Sequence, residues 1–427
     1  MLIVGGGYVG LATATFLANR GHRVTVAEKN RYTVESLGCG QLHFHEPSLT
    51  VKFRQALKTR RIRVVPPSRQ LYQSADIIFV AIDSVNQTTG RMNISAFEKI
   101  SEWIGGIKRK RVALVILKST NVLGFAQFFR NMLDDTLYGA TVRLAVNPEF
   151  LREGFAYDDT EKPNRIVIGV PDTATRRQMV RLYRPLYKHH VPMITTDWKS
   201  AELIKLASNL YLSHRLAFVN EIAEYARREK LDVATVTRSI GLDPRIGLEY
   251  FEPGLGFGGS CLPKDCDLIN SRELGSQYRF QTADTALDIN DFVIDGVISG
   301  LRVALGDRLK GKKIAVLGAA FKPETDDTRG SQAVRLAIKL KRRGASVLVY
   351  DPFLKGASGI VGSTVSLEHN LQLTIQNASA IVIGTAHRRF RTLKAKTASR
   401  LVKKRLVADR FRILNRDIWE KEGFRFV

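Results

Sequence analysis

Cysteine is scarce in this chain: 427 residues hold only Cys39, Cys261 and Cys266. That spacing gives neither a disulfide framework nor a Cys-x-x-Cys metal pair, so no metal is expected and a reducing cytoplasm is the default compartment. Long apolar runs are missing too, and no stretch reaches the roughly 18 uninterrupted apolar residues of a membrane span. Met1-Leu-Ile-Val-Gly-Gly-Gly runs straight into a strand and a glycine loop, which is not the layout of a signal peptide. Acidic residues are outnumbered, 41 Asp and Glu against 66 Lys and Arg, for a formal charge of +25. The excess lies in short runs: Arg60-Arg61, Lys108-Arg109-Lys110-Arg111, Lys341-Arg342-Arg343 and the stretch from Arg388 to Arg405. Such a field attracts anions, nucleotides and nucleic acids among them. Aromatics are not interleaved with these runs and no nucleic-acid module is recognisable, so specific nucleic-acid reading is not expected. A solvated basic surface is the plainer account.

What is present begins at the first residues. Leu2-Ile-Val reads as a buried strand, Gly5-Gly-Gly-Tyr-Val-Gly10 as a turn, Leu11 to Arg20 as a helix, and His22 to Glu28 as a strand ending on a carboxylate. A dinucleotide site needs that order. Gly5 makes the tight turn, Gly7 lets the pyrophosphate approach, Gly10 packs helix on strand, and phosphate sits at the helix N-terminus beside Tyr8 and Val9. Glu28 is placed to accept from an adenosine ribose hydroxyl, which favours NAD over NADP. Lys29 and Arg31 leave room for a 2′-phosphate.

Further apolar strands alternate with helices: Asp76–Ile82, Val112–Leu117, Val142–Val146 and Arg165–Gly169. This alternation predicts a parallel doubly wound sheet, with the ligand crevice at the loops after its strands. Ser84, Lys118-Ser-Thr120 and Asn147-Pro-Glu149 then face the nicotinamide side. Lys199 to Lys230 reads as a long amphipathic helix with Leu203, Leu206, Leu210, Ala217 and Ile222 among its apolar positions. Lys205 and Asn209 lie four apart on it, neighbours on one face, with Lys205 among apolar residues. The chain to about Leu301 is helical, and strands return at Lys312–Gly318, Ala345–Tyr350, Ala380–Gly384 and Arg405–Ala408. The loop after the first of these lacks the full glycine fingerprint, so a mononucleotide site is expected there. The fold class is α/β: two doubly wound, Rossmann-like sheet domains joined by a long central helix and a helical dimerisation region. The expected boundaries are 1–196 for NAD binding, 197–300 for the central region and 301–427 for the second sheet domain with its mononucleotide site.

The stretch Gly254-Leu-Gly-Phe-Gly-Gly-Ser-Cys-Leu-Pro-Lys-Asp265 is the candidate for a nucleophile. Its glycines permit positive φ and close approach of a ligand, and they lead into Cys261 with Lys264 and Asp265 behind it. A thiol on such a loop beside a cation is placed to act as a nucleophile, whereas an ordinary cysteine under a tight turn is packing.

With these residues in view, the chain resembles the nucleotide-sugar 6-dehydrogenases, the family of UDP-glucose and GDP-mannose dehydrogenases, over essentially its full length. The likeness rests on Gly5 to Gly10, Lys118-Ser-Thr120, Asn147-Pro-Glu-Phe-Leu-Arg-Glu-Gly154, Lys205 with Asn209, Asp243-Pro-Arg-Ile-Gly247, Gly254 to Asp265, and Phe321-Lys-Pro-Glu-Thr-Asp-Asp-Thr-Arg329. It implies a four-electron oxidation. The sugar C6 alcohol yields a hydride to NAD, Cys261 traps the aldehyde as a thiohemiacetal, a second hydride leaves a thioester, and water releases the uronate, a precursor for polysaccharide synthesis. Lys205 and Asn209 are implied to stabilise charge on the C6 oxygen, and Asp265, through water with Lys205, to accept a proton. Glu149 is implied to act on the attacking water, with Thr120 ordering it. The resemblance further implies substrate contacts at Glu149, Phe150, Leu151, Glu153, Lys205, Asn209, Tyr250, Phe251, Gly254, Gly258 and Lys322. Ser84, Thr120, Glu153, Lys264 and Arg329 stand at or near cofactor positions. Arg245 matches an arginine that reaches into a neighbouring subunit's site, so a homodimer or higher homo-oligomer is implied.

The chain departs from the family's pattern in places. Asp83-Ser84-Val85 replaces Pro-Thr-Pro, and Asn121-Val-Leu-Gly-Phe125 replaces Val-Pro-x-Gly-Thr. Asp327-Thr-Arg-Gly330 replaces Asp-Thr-Arg-Glu, and Asp409-Arg-Phe-Arg412 replaces Asp-Gly-Arg-Asn, which leaves Arg410 and Arg412 both open as sugar contacts. The arginine segment at Asp243–Gly247 favours UDP-glucose as substrate, with GDP-mannose and UDP-N-acetylhexosamines as alternatives. A two-electron hydroxyacid-type dehydrogenase would not need Cys261. A non-enzymatic anion- or nucleic-acid-binding protein would need only the basic surface.

Overall fold

The structure, a computed structural model, describes residues 1–85, 91–105, 113–136, 142–187, 191–274, 278–354 and 364–427. The chain forms two compact units, Met1–Ser208 with Leu268–Tyr278, and Asn209–Asp267 with Arg279–Val427. The basic run 108–111 and Val112 lie outside the described residues.

In the first unit the strands are β1 (Leu2–Val4), β2 (Val24–Ala27), β3 (Ile62–Val65), β4 (Ile77–Val80), β5 (Ala113–Leu117), β6 (Val142–Val146), β7 (Ile166–Gly169) and β8 (Met193–Thr196). They form an eight-stranded sheet in the order β3-β2-β1-β4-β5-β6-β7-β8. β1 is central to the fingerprint half, with Leu2 opposite Thr25 on one side and Ile78 on the other. All five residues of β5 are buried, as expected of a strand covered on both faces. The expectation of a parallel sheet needs one correction, because β7 runs antiparallel to β6. The sequence alternation does not reveal strand direction, since a buried strand reads the same either way. β3 and β8 were not expected from the sequence. Both are short and half-buried, and β3 follows the basic pair Arg60-Arg61, which masks its apolar signal.

In the second unit β9 (Lys313–Leu317), β10 (Ser346–Tyr350), β11 (Ser366–Leu367), β12 (Ala380–Ile383), β13 (Leu406–Ala408) and β14 (Arg425–Phe426) form a six-stranded sheet, order β11-β10-β9-β12-β13-β14. The described neighbours all pair in parallel. Alternate residues of β9 enter opposite faces: Ile314 and Val316 join one apolar cluster, Ala315 and Leu317 the other. The two-residue edge strands β11 and β14 are too short to read from sequence.

The helix Trp198–Arg228 carries the chain from one unit into the other. Asp197 caps it through its carboxylate to Ser200 N at 2.9 Å. Leu206, Leu210 and Ala217 are buried as the pattern predicts, but Leu203 is 38% exposed, so the apolar stripe excludes it.

Candidate active site

The first glycine turn has the geometry of a dinucleotide cradle. Gly5 has φ +106°, and a Cβ there would lie 2.3 Å from Ala81 O; one on Gly10 would lie 2.0 Å from Gly5 O. Around Gly7 a Cβ meets nothing within 4 Å, so its backbone is open to approach. The helix Tyr8–Asn19 starts there with no side-chain cap and no acid in its first turn, leaving its positive end for an anion. Tyr8 stacks on Phe44 at 3.9 Å, and Val9 is half-buried beside it. The Glu28 carboxylate accepts from Gly6 N and Asn30 N, both at 2.8 Å. Each oxygen keeps a lone pair for a ribose hydroxyl. These groups fit NAD.

The loops after β4 and β5 are tied together by Ser119, whose hydroxyl donates to Ile82 O at 2.7 Å and accepts from Ile82 N at 3.0 Å. Ser84 is buried, with its carbonyl accepting from Asn93 N, and Thr120 is half-buried. In the altered loop, Gly124 N and Ala126 N each donate at 2.7 Å to Glu202, a residue that sequence reasoning missed. Burial pushes the Glu202 carboxyl up to about 7, against the pull of those two N–H groups. Among the described residues no group of three or more His, Cys, Asp or Glu is arranged to hold a metal ion.

At the end of β6, Glu149 Oε1 lies 2.9 Å from Lys205 Nζ, and Oε2 accepts from Leu151 N at 2.8 Å. Lys205 is only 3% exposed. Its ammonium also stands 5.5 Å from the Phe150 ring centroid, with the Arg165 guanidinium at 3.9 Å from the same ring. Burial pushes the Glu149 carboxyl up, but the Lys205 ammonium, its hydrogen bond, Leu151 N and the Lys118 ammonium together hold it below the usual range. Lys118 was expected on the nicotinamide side, yet it is buried and donates to Asn147 Oδ1 at 2.9 Å. Glu153 is buried nearby in sequence.

One turn along the helix from Lys205, the Asn209 side chain donates to Asp265 Oδ2 at 2.6 Å. Lys264 donates to Asp265 Oδ1 at 2.7 Å, so this buried carboxylate is held from both sides. Cys261 is exposed and heads the helix Leu262–Ile269, its carbonyl accepting from Asp265 N at 2.8 Å. Asn290, also missed from sequence, clamps the loop before it by accepting from Phe257 N at 2.7 Å and donating to Phe257 O at 2.8 Å. A Cβ on Gly258 would lie 2.4 Å from Gly330 O, and one on Gly254 would lie 2.4 Å from the Phe411 ring. The cysteine loop and the Phe321–Gly330 segment thus meet backbone to backbone. There Lys322 lies 5.7 Å from the Phe321 ring centroid, and Arg329 forks onto Asp327.

The remaining expected contacts have surroundings of their own. Phe251 is buried against Phe218, Tyr250 has φ 56°, and Arg245 is exposed and forked onto Asp243. Arg410 is mostly buried and pairs with Glu224 at 3.0 Å, whereas Arg412 reaches Asp232 at the surface.

Comparison with known proteins gives full-length relatives. The UDP-glucose/GDP-mannose dehydrogenase family matches with its NAD binding domain at residues 1–187, its central domain at 199–292 and its UDP binding domain at 315–416. A UDP-glucose 6-dehydrogenase from Rhizobium meliloti (strain 1021) is 32% identical over 428 residues, covering 99% of this chain and 98% of its own. A UDP-glucose dehydrogenase structure from Pyrobaculum islandicum superposes with a TM-score of 0.88 at 32% identity, covering 96% of this chain and 94% of that one. A UDP-D-ManNAc dehydrogenase from Pyrococcus horikoshii, 24% identical, shares the fold with a TM-score of 0.86 over 100% of this chain and 98% of that one.

Proposed function

Because the chain belongs to the UDP-glucose/GDP-mannose dehydrogenase family, we propose that it oxidises the C6 alcohol of UDP-glucose to UDP-glucuronate in two NAD-dependent steps. The observation that carries this reading is Cys261, exposed at the head of a helix whose fourth residue, Asp265, is buried and bonded to Asn209. The helix end favours an anionic sulfur at that position.

Held at the Gly5–Gly10 turn and by Glu28, NAD would supply the acceptor for both hydrides. The chain's own groups do the rest. Lys205 and Asn209 donate to the C6 oxygen as it gains negative charge. Asp265, through water with Lys205, takes the hydroxyl proton during the first oxidation. The Cys261 thiolate adds to the aldehyde carbon, and the resulting thiohemiacetal loses hydride from C6 to become a thioester. Glu149 takes a proton from water as it attacks the thioester carbonyl, with Thr120 ordering that water. The C–S bond breaks, the thiol returns, and the sugar leaves as the carboxylate. Four electrons leave C6 in all, two with each hydride. Phe150, Leu151, Glu153, Tyr250, Phe251, Gly254, Gly258 and Lys322 are assigned to the nucleotide sugar. Gly5, Gly7, Tyr8, Val9, Gly10, Glu28, Ser84, Lys264 and Arg329 are assigned to the cofactor.

The UDP-glucose assignment is supported by the Rhizobium meliloti relative, which carries that activity in its name. We assign a homodimer as the active unit, with Arg245 reaching the second subunit. The exposed stripe Tyr211, Phe218 and Tyr225 on the long helix, at a spacing of seven, supports it.

The test counts NADH formed per nucleotide sugar consumed, with UDP-glucose, GDP-mannose and a UDP-N-acetylhexosamine offered separately. Two NADH per UDP-glucose, and one NADH or a stalled adduct after Cys261→Ser, is the expected result. Two NADH from another sugar alone overturns the substrate but keeps the mechanism. Full turnover by Cys261→Ser overturns the mechanism.

A further inference from the structure

Lys118 is a buried cation whose hydrogen bonds go to a neutral group. Its ammonium donates to Asn147 Oδ1 at 2.9 Å and to Asn147 O at 3.3 Å. Tyr183, on the helix Thr173–Tyr183, donates its hydroxyl to the same Oδ1 at 2.5 Å. The Asn147 amide nitrogen donates to Val167 O of β7 at 2.8 Å, and Asn147 N donates to Leu117 O of β5 at 2.8 Å. Two donors on Oδ1 and one acceptor at Nδ2 leave that side chain a single orientation. Asn147 is therefore held from β5, from β7 and from the helix carrying Tyr183. Two residues on stands Glu149, joined to it only by the stiff Pro148.

A buried ammonium spent on an amide is costly to maintain unless its charge is used. The groups that face it electrostatically are Glu149, of opposite sign, and Lys205, of the same sign. Tyr183 adds a hydroxyl that burial keeps protonated. Burial pushes Lys118 down to about 8, with the Glu149 carboxylate opposing that change and the Lys205 ammonium adding to it. Near neutral pH one carboxylate thus stands beside two ammonium groups, only one of which touches it.

We propose that Lys118 is a positioning residue for Glu149: it locks Asn147 and thereby the Asn147-Pro148-Glu149 turn, and it supplies the second positive charge that keeps Glu149 ionised. Tyr183 shares the first task and not the second. This assignment rests on Glu149 acting as the base in the reading above, but its test does not need that reaction.

The experiment follows the Glu149 carboxylate by infrared titration of the substrate-free protein, taken as the difference from Glu149→Gln. Lys118→Gln keeps a donor for Asn147 and removes the charge; Tyr183→Phe removes a donor and keeps the charge. The midpoint moves to higher pH in Lys118→Gln and stays in place in Tyr183→Phe. In turnover, Lys118→Gln loses about tenfold in kcat with KM for the nucleotide sugar within about twofold, and its acid limb moves to higher pH. If glutamine at 118 does not fold, Lys118→Met, of similar volume, reads the same titration. An unmoved midpoint in the Lys118 variant overturns the proposal, as does a merely structural pattern in which both variants lower Tm alike and neither moves the limb. A shifted midpoint in a protein that oxidises no nucleotide sugar supports the Lys118 assignment and overturns the functional reading instead.

Discussion

Lys205 and Glu149, buried side by side, bear on stability and on the proposed chemistry alike. Their charges are 2.9 Å apart, at 4% and 11% side-chain exposure. A buried pair adds little net stability, but removing one partner leaves the other charged and dry, at a cost of about 3–5 kcal/mol. Lys205→Met is therefore expected to lose stability on that scale in urea unfolding, together with turnover. The Glu149 carboxyl is held below its usual range. Its contribution is complete above the unfolded carboxyl's pKa and is lost as pH falls through the folded value. Below about pH 4.3 the native protein should lose stability with falling pH more steeply than Glu149→Gln, as thermal melts across pH 3–6 will show.

At the level of elements, two distant side chains hold the working loops. Glu202, on the long helix, bonds Gly124 N just before the helix Phe125–Thr136 and Ala126 N in its first turn, and so fixes the altered loop. Its carboxyl is raised to about 7, so the folded chain keeps a proton that the unfolded chain has released. That contribution is present below the unfolded pKa and fades as pH rises through about 7. Glu202→Gln should flatten the fall in stability between pH 5 and 8 by up to about 3 kcal/mol, and raise KM for NAD more than it lowers kcat. Asn290 does the corresponding work for the cysteine loop. Asn290→Ala leaves Phe257 N buried without its partner, while Phe257 O keeps Gln332 Nε2, and the orphaned N–H costs about 1–3 kcal/mol. It should also loosen Cys261, visible as a changed rate of iodoacetamide alkylation at that residue.

For the molecule as a whole, the unexplained quantities are the +25 charge and the exposed aromatics. A basic field raises the encounter rate of anionic ligands and is screened by salt. KM for both NAD and the sugar nucleotide should rise from 20 to 500 mM NaCl while kcat changes less, whereas a random DNA duplex competes only at low salt. Tyr225 is 63% exposed, seven residues from Phe218 along the long helix. Tyr225→Glu should shift light-scattering mass from dimer to monomer without lowering Tm by more than a few degrees. A native protein already monomeric overturns the dimer assignment.

The sequence by itself determined the elements whose chemistry is local. The glycine fingerprint with Glu28, the buried strands, the long helix and the cysteine loop each announce themselves through spacing, turn chemistry and apolar period. NAD as cofactor and the dehydrogenase family were legible for the same reason. Tertiary structure alone decided what depends on residues far apart in the chain. The antiparallel entry of β7, the burial of Lys118 against Asn147, the Glu202 cap and the Asn290 clamp leave no periodic trace. A hydrogen bond between positions 29, 33 or 78 residues apart is set by the packing of whole elements, and no local pattern encodes it. Leu203 makes the same point in reverse: its apolar type fits the helix period, yet the packing around the long helix leaves it facing water.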